Sequence, residues 1–139
     1  MANLDRVANI WLSVPTVQVV IVINIVRRLQ QGGVPMFALR YEQGSAAPVW
    51  SISFGTAAPH PHSIRSVNTL GGPPLTGVGL LVQPGGAPYP ACNAQGMVDY
   101  QLHVPSARVF SGCPQVPAGV PHNYFIDLFD IQEGILRVL

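Results

Sequence analysis

Between residues 16 and 26 every odd position is Val or Ile: Val17, Val19, Ile21, Ile23 and Ile25. The even positions mix Thr16, Gln18, Val20, Val22, Asn24 and Val26. This period of two predicts a strand with one fully apolar face and a second that is only partly polar. Residues 31–33 (Gln-Gly-Gly) then turn the chain. Residues 35–41 read as a second strand carrying Phe37, Leu39 and Tyr41 on one side. Glu42-Gln43-Gly44-Ser45 is a turn, and residues 49–54 form a third strand with Trp50, Ile52 and Phe54 on one face. Together the last two predict an antiparallel hairpin with an aromatic inner face.

Further along, residues 97–104 alternate Val98, Tyr100, Leu102 and Val104 against Met97, Asp99, Gln101 and His103. Shorter strand candidates fall at 63–67, 77–83, 108–110, 123–131 and 135–139, the last two flanking Gln132-Glu133-Gly134. A helix fits only near residues 3–12. About eight short strands joined by turn-rich loops predict a single all-β domain over residues 1–139: an antiparallel β-sandwich, jelly roll or barrel. The chain's fourteen glycines and fourteen prolines support that reading, because Pro removes a backbone donor and Gly weakens helices. The Pro/Gly-rich loops at 55–76 and 84–96 exceed ordinary connection lengths, which predicts a function or a packing partner for them.

Composition changes the picture from fold to surface. The chain has no lysine, only 9% of it is charged, and 48% is hydrophobic. An ordinary soluble domain is about 25% charged. A chain of 139 residues cannot enclose that much apolar surface in one core, so the surface is expected to be neutral and apolar. Such patches mark contact sites. Trp11, Tyr89 and Tyr124 lie beside loops or termini and are the candidate interface aromatics. The seven basic residues are scattered, with Arg27-Arg28 the only adjacent pair, so no nucleic-acid stripe is expected. The longest apolar run is well short of the roughly 20 residues that span a bilayer, so no membrane span is expected. The N-terminus has no signal-peptide layout, which predicts synthesis in the cytoplasm.

Two strings carry candidate chemistry. Pro117-Ala118-Gly119-Val120-Pro121-His122 resembles the second conserved motif of the cupin family, and His60-Pro61-His62 resembles the His-x-His of the first. The resemblance implies a small jelly-roll barrel in which His60, His62 and His122 hold one divalent transition metal, with oxygenase or isomerase chemistry. Neutral imidazoles suit such ions. No glutamate follows His62 within a few residues, where the family pattern places its fourth ligand. His103, on the polar face of its strand, reads as a solvated surface histidine. Cys92 and Cys113 both fall in loops, where a disulfide between them is sterically open, although reduced thiols are the default without export. There is no Gly-x-Ser-x-Gly elbow, P-loop, dinucleotide fingerprint or Cys-x-x-Cys ribbon.

Two functions follow as expectations. The first is a non-enzymatic structural subunit, without cofactor, of a symmetric assembly. It would self-associate as a trimer or higher and contact other particle proteins, as a virion or phage capsid, decoration or tail-associated protein does. The second is the cupin-like metal-binding protein.

Overall fold

The computed structural model describes residues 2–26 and 32–139; the Arg27-Arg28 pair lies outside them. Its elements run α1 (Ala2–Leu12), β1 (Val19–Ile25), β2 (Pro35–Glu42), β3 (Trp50–Gly55), α2 (Pro61–Asn68), β4 (Thr76–Gly77), β5 (Gln101–Pro105), α3 (Ser106–Val109), β6 (Asn123–Asp127) and α4 (Leu128–Leu136). A single 3-10 turn, Val98–Tyr100, leads into β5. The expected all-β sandwich is therefore corrected. The described residues form a mixed α/β fold with a four-stranded sheet, a separate two-stranded ribbon and four helices, and no closed barrel.

The sheet order is β1-β2-β3-β4. β1, β2 and β3 form an antiparallel meander, with Val22 opposite Leu39 and Ala38 opposite Ile52. The two-residue β4 joins β3 in parallel, Ile52 beside Thr76 and Ser53 beside Gly77. Its brevity has a local cause. Gly77 sits at φ +106°, and a Cβ there would lie 2.0 Å from the Ser53 carbonyl oxygen. Only glycine allows this approach. Gly55 ends β3 for the same reason, since its Cβ would meet the Val34 oxygen at 2.3 Å.

The β2–β3 hairpin forms as expected, and its turn is closed by the Ser45 amide donating to the Glu42 oxygen at 3.1 Å with Gly44 at φ +87°. Its aromatic rows do not share a face, however. The register sets Phe37 opposite Ser53 and Met36 opposite Phe54, so Phe37, Leu39 and Tyr41 point one way and Trp50, Ile52 and Phe54 the other. Both rows are buried because both sides of the sheet are covered. On one side Phe37, Leu39 and Tyr41 pack with Ala8 and Leu12 of α1, Val67 of α2 and Leu75. On the other, Met36, Ala38, Ile52 and Phe54 pack with Cys92, Tyr100, Leu102 of β5 and Leu128 of α4. Near-complete burial of β2 and β3 is what a sheet covered on two faces requires.

Helices take the place of the strands expected at 63–67 and 108–110, and α4 takes the second half of 123–131 and the start of 135–139. At 61–68, Pro61 fills the first helical position, where its missing N–H costs nothing. The His60 Nδ1 accepts from the His62 amide at 3.1 Å as the N-cap. At 128–136, the Asp127 carboxylate accepts from the Phe129 amide at 3.0 Å. Leu128, Ile131, Gln132, Ile135 and Leu136 then recur at helical spacing, with the apolar members packed on the sheet. Residues 106–109 form the single turn α3. The 77–83 strand reduces to Gly77 and an isolated bridge between Leu81 and Pro88. Helix α1 lies where a helix fitted. Its first turn carries Asp5, whose Oδ1 accepts from the Tyr41 hydroxyl at 2.9 Å.

The two long loops are also accounted for within the chain. Residues 55–76 contain α2. The 84–96 loop is strapped to α4 and β6: Gln132 Nε2 donates to the Cys92 oxygen at 3.0 Å, and the Gly96 amide to Asp127 Oδ2 at 2.8 Å. Gln95 Nε2 donates to Asp130 Oδ1 at 2.5 Å, and the Tyr100 hydroxyl donates to the Pro90 oxygen.

Candidate functional site

The three histidines of the metal reading take separate roles. His60 is an exposed N-cap. His62, one residue into α2, lines a surface pocket of about 340 Å³ with Asn24, Val26, Ser63 and Ser66. His122 lines another of about 360 Å³ with Ser106 and the 116–121 loop. Its carbonyl oxygen accepts from the Ser106 amide at 2.9 Å, and the Pro121 oxygen accepts from the Ser106 hydroxyl. Among the described residues no three His, Cys, Asp or Glu side chains converge where they could hold a metal ion.

Both cysteines are free thiols: Cys92 is buried and Cys113 exposed. Burial pushes the Cys92 thiol up to about 11, out of the range where a thiolate forms at neutral pH. The disulfide open to the sequence is not formed in this structure.

The residues that the sequence did not bring together form a polar pin between the sheet and the ribbon. Arg40 stands on the Met36/Ala38 face of β2, a charge within an apolar row. It is 7% exposed, and burial lowers its pKa, opposed by Glu42. Its Nη2 pairs with Glu42 Oε1 at 3.2 Å, while Arg108 Nη2 of α3 pairs with Glu42 Oε2 at 3.2 Å. Arg40 Nη1 donates to the His103 carbonyl oxygen of β5. The guanidinium carbon lies 5.4 Å from the Trp50 ring centroid, within cation–π range. His103 is not the solvated surface residue expected. Its ring is held between Trp50 at 4.9 Å and Phe125 at 4.6 Å, the latter edge-on. The signal for this cluster was Arg40 itself: a lone arginine between Leu39 and Tyr41 on a buried strand needs partners. Its chemistry is that of a clamp: Arg40, Glu42 and the His103 carbonyl are joined to one another, Arg40 Nε has no hydrogen-bond partner, and only the Arg108 arm is open to solvent.

The exposed apolar surface is the remaining candidate. Trp11 is 58% exposed and belongs to a row on α1 with Val7 and Ile10, which Val14 continues just past the helix end. Tyr124 is exposed on β6 beside the more exposed Phe125, whereas Tyr89 is half-buried. A cleft of about 350 Å³ runs along the β3 edge between Trp50, Ser51, Pro73 and Pro74. Among the described residues no helix is long and apolar enough to cross a membrane. No protein-family model, curated protein or solved structure matches this chain.

Proposed function

We propose that this protein is a non-enzymatic structural subunit of a symmetric assembly, of the kind that builds a virion or similar particle. The observation that carries the reading is the two-sided apolarity of α1. Ala8 and Leu12 are buried against the sheet, yet Val7, Ile10 and Trp11 on the rest of the helix stand 47–58% exposed, and Val14 just past its end is 42% exposed. The apolar arc of α1 is thus wider than the stripe it buries on the sheet, and no described residue covers the remainder, which is the kind of surface that marks a contact with a partner. The sparse charge acts in the same direction. Six acidic and seven basic side chains give little repulsion to overcome when surfaces meet, and part of that charge is spent in the Arg40–Glu42–Arg108 pin.

Native mass spectrometry over a micromolar dilution series tests this reading. A defined oligomer is expected, and Trp11→Glu should shift it toward monomer while the circular dichroism spectrum stays unchanged. A monomer at every concentration overturns it.

A further inference from the structure

The two edges of the main sheet are finished differently. At the β3 edge, β4 covers Ile52 and Ser53, and Pro73 and Pro74 line the cleft beside Trp50 and Ser51. Prolines and very short strands are the usual ways of blunting an edge. The β1 edge has neither. Its seven residues, Val19–Ile25, contain no charge, no proline and no glycine, and among the described residues no strand pairs with its outer side.

The hydrogen-bond phase shows which groups are offered there. The Gln43 amide donates to the Gln18 oxygen at 2.9 Å, and the Val26 amide to the Pro35 oxygen at 3.0 Å. In an antiparallel ladder, bonded positions alternate along each strand. The even residues of β1 therefore bond to β2, and Val19, Ile21, Ile23 and Ile25 turn their N–H and C=O groups outward. A long, flat, apolar edge of this kind is a template for another strand.

We propose that the occupant is a second copy of this chain, joined β1 to β1, antiparallel and edge to edge, in one continuous sheet; this rests on the reading that the protein assembles with itself. The strand is self-complementary. A twofold axis at Val22 sets Ile21 opposite Ile23 and Val19 opposite Ile25, so that all the outward groups pair, giving about eight hydrogen bonds. With no charge on the strand, no like charges meet. An axis perpendicular to the sheet also keeps each face on its own side. Both α1 helices, which lie over β1 through Ala8, Leu12, Val20 and Val22, then sit on the same face of the joined sheet. Val7, Ile10 and Trp11 of α1, 47–58% exposed, belong to that helix layer, and Ile25, 42% exposed, stands on the edge strand at the opposite face, so apolar side chains are offered on both faces. A stable interface buries roughly 800 Å² per partner. The helix surface that the described residues leave open lies in the layer over the paired strand and can add to the twofold contact.

Two variants test it. Ile25→Pro removes an outward N–H and leaves the bonds to β2 in place. In a Cys113→Ser background, Val22→Cys puts two thiols at a non-hydrogen-bonded pair, where Cα atoms are about 4.5 Å apart and can be bridged. Val20→Cys, which has no copy of itself opposite, is the control. An even-numbered oligomer is expected for the parent protein. Ile25→Pro should raise the half-dissociation concentration at least tenfold, and Val22→Cys but not Val20→Cys should give a reducible dimer on oxidation. If Ile25→Pro unfolds the chain, the cross-link alone decides. If the parent assembles but Val22→Cys gives no dimer, β1 pairing is overturned while the assembly reading stands on another surface. A parent protein that is monomeric throughout overturns both.

Discussion

Glu42 is the one acceptor shared by Arg40 and Arg108, and removing it isolates the cost of burying Arg40. The Arg40 side chain is 9% exposed and that of Glu42 12%, whereas Arg108 is 38% exposed. Deleting one partner of a buried pair leaves an uncompensated charge, at about 3–5 kcal/mol. Arg40 keeps its bond to the His103 oxygen and its place over Trp50, which sets the expected loss for Glu42→Ala at the lower end, about 3 kcal/mol. The Arg108 arm, being largely solvated, contributes less than about 1 kcal/mol, so Arg108→Ala is a mild control. With an m-value of about 2 kcal/mol/M in urea, Glu42→Ala moves the unfolding midpoint down by about 1.5 M. The assay is equilibrium unfolding followed by tryptophan fluorescence at one fixed protein concentration, because association shifts apparent stability. The double variant Arg40→Met/Glu42→Leu, which removes the charge along with its partner, should recover most of the loss. A Glu42→Ala midpoint within about 0.5 M of the parent would refute the claim that Arg40 is held desolvated.

Two further outcomes are expected. Burial acts to raise the Asp127 pKa, but the amides of Gly96 and Phe129 outweigh it and hold the carboxylate below its ordinary value. A depressed folded-state pKa contributes stability that is complete above the unfolded value of about 3.9 and is lost as pH falls through the native one. The parent should therefore melt higher than Asp127→Asn at pH 7 and lose that advantage in acid, and a constant gap across the range rules this out. For the thiols, a disulfide-exchange reagent should label Cys113 alone in the native protein and Cys92 only on unfolding, since Cys92 is buried and its thiol is pushed up to about 11. Two fast thiols would contradict the burial, and none would indicate a bridge.

What the sequence revealed and what it hid follow one physical division. The β1 run and the β2–β3 hairpin were legible because β-branched residues and a Gly44 turn encode them locally. Helix α4 was not, because β6 passes into it without a proline or glycine. The only boundary is Asp127, a polar residue like any other until its carboxylate meets the Phe129 amide. At α2 the proline that reads as a breaker is the helix opener. The facing of Phe37 and Trp50 could not be read either, since alternation gives each strand two faces but not which of them align. For the Arg40 pin the sequence carried the need for partners but not their identity. Arg40 meets His103 and Arg108 meets Gln43 across 63 and 65 residues, and no local pattern records such a contact. Of the exposed face of α1, the sequence marked Trp11 but not Val7 and Ile10 beside it.

The sheet divides the interior into two compartments that share no side chains. Met36 and Phe37 are joined by one peptide bond, yet Met36 is packed among Tyr100, Leu102 and Leu128, and Phe37 among Ala8, Leu12 and Leu75. Adjacent positions on β2 are thus subject to different selection. A volume change at residue 36 is answered mainly from the last third of the chain, and one at residue 37 from residues before 81. The ribbon and α4 can drift in sequence without disturbing the layer beneath α1. The helix layer, which adjoins the open strand edge, can be tuned for contact with neighbours while the far compartment keeps the fold.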